Sequence, residues 1–237
     1  MLFNMPTSES APQERYLFKP FFGSSHLFAL THAERLSKDA KVLDIGAGSG
    51  AIGAQLKQGG FTNLNAVEID ARARDHIQPI YHRVEDSIQP FQRENAKFDL
   101  VLLLDVIEHM PNPKEFLEQV RGLVKENGIA IVSVPNIAHW SVRVPLLFGI
   151  FNYTERGLLD KTHLQFFTRR RLHDMVASAG FHLQVEGCSI PPAEFVLPKS
   201  VTETEIFKTV SKIRHAAAQI VPGLFGYQHL AILRPKM

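Results

Sequence analysis

Lys41-Val-Leu-Asp-Ile-Gly-Ala-Gly-Ser-Gly50, continued by Ala51-Ile-Gly-Ala-Gln-Leu-Lys-Gln58, reads as a short apolar strand, an acid, three alternating glycines and a helix. Glycine accepts backbone angles that other residues avoid and leaves room for a ligand against the main chain. The turn would sit at the positive end of the following helix. Strand, glycine turn and helix in that order form the nucleotide-binding corner of a doubly wound α/β sheet.

Outward from this corner, strands and helices alternate, which implies a parallel sheet. Ser24 to Leu36 reads as a helix leading into the strand Val42 to Ile45. Strands follow at Asn65 to Ile69, Phe98 to Leu104 and Ile129 to Val134, with helical segments at 71–77 and about 113–125. Ile129 to Val134 is a continuous apolar run, as expected of a strand buried on both faces. Thr168 is a natural N-cap for a helix carrying Leu172, Met175, Val176 and Ala179 on one face, and Gly180 is its stop. Phe181 to Ser189 reads as a strand, Pro191 to Pro198 as a loop, Thr202 to Ile220 as a helix and Tyr227 to Leu233 as a last strand. The reading is an α/β fold with a seven-stranded, mostly parallel sheet and helices on both faces. Residues 1–15 are expected to be a polar tail and 16–237 one domain, elaborated at 136–167 and 190–222.

Composition narrows the function. The chain has 237 residues, 45% apolar and 21% charged, with a formal charge of +2. That is ordinary for a globular protein and lacks the broad basic footprint of a nucleic-acid binder. Cys188 is the only cysteine, so no internal disulfide forms and a reducing cytoplasm is the simplest location. The opening residues lack a basic region followed by an apolar one, and no apolar run approaches the roughly 18 residues that span a bilayer.

Two ligands compete for the glycine turn. Gly48-Ser-Gly-Ala-Ile-Gly53 fits the G-x-G-x-x-G pattern of dinucleotide enzymes, which alone says little. Asp44, however, stands at the strand end before Gly46, Ala47, Gly48 and Gly50. A carboxylate there repels a pyrophosphate and suits an ammonium group. This favours S-adenosylmethionine, which carries an amino-acid end and a sulfonium.

From about 40 to 185 the chain resembles class I S-adenosylmethionine-dependent methyltransferases. Val42-Leu-Asp-Ile-Gly-Ala-Gly-Ser-Gly50, Ala66-Val-Glu-Ile-Asp70, Phe98-Asp-Leu-Val-Leu-Leu-Leu-Asp-Val-Ile-Glu-His109 and Lys125-Glu-Asn-Gly-Ile-Ala-Ile-Val-Ser-Val-Pro-Asn136 match their successive motifs. Two longer strings, Val134-Pro-Asn-Ile-Ala-His-Trp140 and Leu159-Asp-Lys-Thr-His-Leu-Gln-Phe-Phe-Thr168, resemble the bacterial methyltransferase domain 23 group and the ubiquinone-biosynthesis O-methyltransferases. The resemblance implies strand order 3-2-1-4-5-7-6 with the last strand antiparallel. It also implies that Glu68 meets the ribose hydroxyls and that Ile69, Leu104 and Asp105 line the cofactor. The acid that meets the adenine in this family falls among Arg83, Val84 and Glu85, of which only Glu85 is acidic. The segment Phe22 to Arg35 closes over the cofactor in relatives, with His26 a candidate contact.

For the chemistry, Asp105, Glu108 and His109 have the spacing i, i+3, i+4 and would share one face of a helical turn. His163 lies in the second long string. The 3′-terminal small-RNA 2′-O-methyltransferases show a similar acid-x-x-Glu-His plus a later His around a divalent ion. Asp105, Glu108, His109 and His163 are therefore a candidate metal site of mixed oxygen and nitrogen donors. Alternatively His109 or His163 acts as a base without metal, or Asp105-x-x-Glu108 is a capping box for a helix beginning at Val106. Asn136, His139 and Trp140 lie just past the fifth strand and are candidate acceptor contacts, with a core or lid role the alternative for Trp140. Val144-Pro-Leu-Leu-Phe-Gly-Ile-Phe151 suits a substrate lid, a membrane contact or packing on the domain. Arg169-Arg-Arg171 suits either a phosphate or a solvated face. Together these imply methyl transfer to a small-molecule acceptor, most simply a hydroxyl of a sugar, quinone, lipid-linked or secondary-metabolite compound. The alternatives are 2′-O-methylation at an RNA 3′ end, a non-catalytic cofactor-binding regulatory partner and, more distantly, a dehydrogenase.

Overall fold

The computed structural model describes residues 18–19, 21–193 and 197–236. The expected tail at 1–15 lies outside these residues. Seven strands form one sheet: β1 Lys41–Ile45, β2 Asn63–Val67, β3 Arg83–Glu85, β4 Phe98–Leu104, β5 Val124–Pro135, β6 Phe181–Cys188 and β7 Gln228–Pro235. Their order is β3-β2-β1-β4-β5-β7-β6, with β7 antiparallel to both β5 and β6. This is the expected topology.

The helices are α1 Ser25–Ala33, α2 Ala51–Gln58, α3 Ala71–Ile77, α4 Gln89–Arg93, α5 Pro113–Arg121, α6 Trp140–Leu147, α7 Arg169–Ser178, α8 Lys199–Thr202, α9 Glu205–Ile220 and α10 Pro222–Phe225. The expected helix from Thr202 is thus two helices. Thr204 restarts it by accepting the Phe207 amide at 3.2 Å. The expected helix starting at Val106 is one 3₁₀ turn, Ile107–His109.

Two apolar layers sandwich the sheet. On one face Leu117 and Val120 of α5 and Leu172, Met175 and Val176 of α7 pack on Leu43, Val101, Leu103 and Val132. On the other, Ala29 and Ala33 of α1 and Ile52 and Leu56 of α2 pack on Val42, Leu100, Leu102 and Ile131. Successive β4 residues therefore point into opposite layers, which explains the unbroken apolar run. Strand order reverses between β1 and β4, and the crevice beyond their carboxyl ends is where open α/β sheets bind ligands. The glycine turn and Asp105 stand at that crevice.

The β4–β5 register shifts between Phe98↔Val124 and Leu100↔Ile129. Gly128 sits at the shift because a β-carbon there would lie 2.8 Å from the Phe98 carbonyl. No helix among the described residues is long and apolar enough to cross a membrane.

Candidate active site

The glycine turn is built by its neighbours. Gly46 has φ +74°, and a β-carbon on it would come within 2.7 Å of Val106. The Gly46 and Ala47 amides donate to the Val67 carbonyl at 2.8 and 3.2 Å, and the Gly48 amide donates to Glu68 at 2.7 Å. Glu68 takes the Asp70 amide on its other oxygen at 2.9 Å. Its carboxylate therefore braces the turn from the end of β2. The next residue, Ile69, is 86% exposed, an apolar side chain held out where a flat ring system could cover it.

Asp44 is buried, and among the described residues its side-chain partner is the Tyr81 hydroxyl, which donates at 2.5 Å. Burial lifts the Asp44 carboxyl to about 6, the Tyr81 hydrogen bond opposes the rise and the Glu68 charge adds to it. Burial and Asp44 together push the Tyr81 phenol well above its usual range. Tyr81 was not singled out in the sequence. The signal for it was Gly53, whose β-carbon would lie 2.2 Å from the Tyr81 ring and hydroxyl. The third glycine of the G-x-G-x-x-G string makes room for the Tyr81 ring.

Glu85, at the end of β3, accepts from Arg83 Nε at 2.7 Å, and Arg83 also grips Glu94 at 2.7 and 2.9 Å. That commits Glu85 to an ion pair. Asp86, one residue further, is exposed at the strand end.

Asp105 differs from its expected place. It has φ +58°, which points its amide at the Ser133 hydroxyl, 3.0 Å away. Its carboxylate accepts from Ser133 Oγ at 2.6 Å, Gln228 Nε2 at 2.5 Å and Lys19 Nζ at 3.2 Å. Burial raises this carboxyl, but Lys19 and Ser133 outweigh it, and the group stays ionised below its usual range. Asp105 makes no capping bond to the 3₁₀ turn, and its carboxylate lies outside the group formed by Glu108, His109 and His163. Lys19 also donates its amide to His26 Nδ1 at 3.1 Å, so the segment before α1 is tied to the crevice. Burial, then Lys19, pushes His26 down to about 4.

Glu108, His109 and His163 do come together, with ligand atoms within 4.8 Å of one another. The Glu108 backbone carbonyl accepts the amides of Leu164 and Gln165, both at 2.9 Å. The His109 ring nitrogen Nδ1 meets the Thr162 carbonyl at 3.0 Å, and Gln165 Nε2 donates to the Pro111 carbonyl at 3.1 Å. These bonds zip residues 162–165 onto the 3₁₀ turn and bring His163 Nε2 to 4.0 Å from Glu108. Both Glu108 carboxylate oxygens are buried and accept no hydrogen bond from another of the described residues. Burial, then Asp105, drives its carboxyl well above the usual range. Burial and His109 lower His163. His163 Nδ1 faces the Leu158 carbonyl at 3.3 Å. With Nδ1 of each ring at a carbonyl, each keeps its proton there and presents a lone pair at Nε2, the arrangement found in metal-ligating histidines. Glu108, His109 and His163 fit a divalent cation; Asp105 drops out of the expected set.

The acceptor contacts divide. Asn136 is fully buried, with its amide nitrogen 2.7 Å from the Gly226 carbonyl and 3.3 Å from those of Pro222 and Gly223, while its oxygen takes the Ala138 amide at 3.0 Å. Fully enclosed, it presents no surface to a substrate. His139 caps α6, its Nδ1 3.3 Å from the Ser141 amide, and its buried Nε2 has no partner among the described residues. Burial, then Arg214, holds this ring at about 4, so it is neutral with its proton on Nε2. Trp140 is half exposed, 5.6 Å from the His139 ring. The arginine run is largely spent within the fold. Arg169 grips Glu186 at 2.7 and 2.5 Å, and Arg171 binds the Phe166 carbonyl at 2.6 Å and Gln165 at 2.5 Å.

Comparison with known proteins gives this geometry a family. The profile described as methyltransferase domain, group 23, matches residues 18–185, well over half the chain. The chain belongs to that methyltransferase family. Among curated relatives, the methyltransferase is 36% identical over 127 residues to a ubiquinone biosynthesis O-methyltransferase of Rickettsia typhi, covering 50% of this chain and 48% of the relative. It is 32% identical over 165 residues to the enzyme of the same name from Rickettsia canadensis, covering 65% and 67%. The chain spans about half the length of the first of these relatives. The methyltransferase also shares its fold with a SAM-dependent methyltransferase of Archaeoglobus fulgidus, with TM-score 0.57 and 19% identity over 90% of this chain and 95% of that one. The magnesium protoporphyrin IX methyltransferase of Synechocystis, a structure containing bound SAH, gives TM-score 0.57 and 12% identity over 90% and 80%. By family the chain is a methyltransferase-domain protein, and it shares the fold of solved S-adenosylmethionine-dependent methyltransferases.

Proposed function

We propose that the chain transfers the methyl group of S-adenosylmethionine to a hydroxyl oxygen of a small-molecule acceptor, at a site where Glu108, His109 and His163 hold a divalent cation. The observation that carries the metal is Glu108. Two buried, unpartnered carboxylate oxygens facing an imidazole Nε2 are costly unless a proton or a cation lies between them.

At the cofactor, Asp44 is the counter-charge for the ammonium group, Glu68 receives the ribose hydroxyls, and Ile69 offers its exposed side chain to the adenine. Because Glu85 is paired with Arg83, Asp86 is the freer acid for the adenine amino group. The reaction is an in-line displacement. The acceptor oxygen bonds to the methyl carbon, the carbon–sulfur pair leaves on sulfur as S-adenosylhomocysteine, and the hydroxyl proton passes to solvent water. Alignment supplies most of the acceleration. A divalent ion would lower the pKa of a hydroxyl bound to it. His109 and His163 keep their Nδ1 protons on carbonyls and their Nε2 lone pairs inward, and the His139 Nε2–H is a spare donor for the acceptor. The names of the relatives favour an amphiphilic phenol or quinol among possible acceptors.

The test is S-adenosylhomocysteine release with hydroxylated phenol, sugar and lipid-linked acceptors. EDTA should cut turnover by about 10²-fold or more, with recovery in Mg²⁺ or Mn²⁺, and Glu108→Gln and His163→Ala should match the chelated enzyme. Undiminished turnover in EDTA removes the metal. Failure of calorimetry to detect S-adenosylmethionine removes the whole reading.

A further inference from the structure

Helix α9 carries an exposed apolar stripe beside the face it buries. Ser211 and Ala218 are buried against the protein, with Phe207 and Arg214 half-buried beside them. Ile206, Val210, Ile213 and Ile220, at i, i+4, i+7 and i+14, fall on a second stripe, and Ile206 and Ile220 are 78% and 80% exposed. Lys208 and Lys212 occupy the remaining side.

A second exposed apolar segment ends α6. Leu147 and Phe148 are 81% and 77% exposed, followed by Ile150 and Phe151, and Trp140 and Tyr153 are about half exposed. Residues 140–153 contain one charge, Arg143. The two segments meet at α10. Arg143 reaches the Gly223 carbonyl at 3.4 Å, Asn136 binds three carbonyls of the same turn, and Val221 and Phe225 are exposed there. So much bare apolar side chain in two linked elements exceeds the scattered exposure normal for a monomer.

We propose that the outer stripe of α9 and the end of α6, joined through α10, form a docking face for an anionic lipid bilayer that presents an amphiphilic acceptor to the crevice. The acceptor clause rests on the methyl-transfer reading; the docking does not. Charge selects a bilayer over a second copy of the chain. Residues 197–225 hold four basic side chains against two acidic ones; Lys208 is paired with Glu205 at 2.6 Å and Arg214 donates to the Pro191 carbonyl, Lys212 is exposed, and the other segment adds Arg143. In a symmetric dimer those lysines would approach their own copies, whereas on a bilayer they meet anionic headgroups. Apolar side chains bordered by lysine, with half-exposed tryptophan and tyrosine, suit an interfacial helix.

Sedimentation of the full chain with vesicles tests this, using phosphatidylcholine with and without phosphatidylglycerol at low and high salt. The expected result is binding to the anionic vesicles that salt weakens. It should fall by about tenfold or more in Ile206→Asp/Ile213→Asp and in Leu147→Asp/Phe148→Asp. The corresponding alanine pairs serve if the aspartate pairs do not fold. S-adenosylhomocysteine affinity, measured by calorimetry, should be the same in all variants. Vesicle binding absent in the natural chain, or unchanged by the substitutions, overturns the proposal. So does a concentration-dependent dimer in equilibrium sedimentation that the substitutions disperse. If docking holds while S-adenosylhomocysteine fails to bind, the cofactor reading falls and the docking face stands.

Discussion

Asp44 illustrates how one residue couples stability to binding. Its folded carboxyl, at about 6, lies above the ordinary 3.8, so folding favours the neutral form. The stability this contributes is complete below pH 3.8 and is lost as pH climbs through about 6. The interval corresponds to about 3 kcal/mol. Asp44→Asn should therefore be the more stable protein at pH 8, by up to about 3 kcal/mol, with the difference vanishing near pH 4 in urea titrations. Its S-adenosylmethionine affinity should drop by about tenfold or more, as expected for an ammonium group that loses a buried counter-charge. Asp44 and its glycines were legible in the sequence because strand, acid and turn are contiguous. Tyr81 was not, because its partner lies 37 positions away and only the fold brings the two together.

At the scale of elements, local signals located the strands, the Thr168 cap and the Gly180 stop, since periodicity and capping act over a few residues. Thr168 accepts the Arg171 amide at 3.3 Å, and Gly180 takes φ +79°. What local signals could not reveal is where a polar side chain spends its hydrogen bonds. Asp105 turns toward Ser133 of β5 and Gln228 of β7, and so leaves the metal cluster that its spacing suggested. Asn136 turns into α10 and is buried there. Asn136→Ala should cost about 1–3 kcal/mol of stability and loosen residues 222–226 in hydrogen exchange, with S-adenosylhomocysteine affinity retained. A loss of turnover at unchanged stability would return Asn136 to the acceptor.

At the scale of the molecule, the sheet places two kinds of chemistry at one crevice. The carboxyl ends of β1 and β2 carry the carboxylates suited to a charged nucleoside. Beyond β4, the 3₁₀ turn and residues 162–165 carry the Glu108, His109 and His163 cluster. The resemblance supplied the strand order, which no local pattern specifies. The elaborations after β5 and β6 resisted sequence reading because their folds depend on one another through α10. They also hold most of the exposed apolar side chains.

Cys188 has a practical consequence. It is the only cysteine, it is buried, and burial raises its thiol to about 11, with Glu186 adding to the effect. At neutral pH it should stay almost inert to maleimides. A single cysteine placed at Leu147 or Ile213 can therefore carry a fluorophore or spin label without removal of the natural thiol, and the probe's emission or accessibility to a quencher would report directly on what touches that surface.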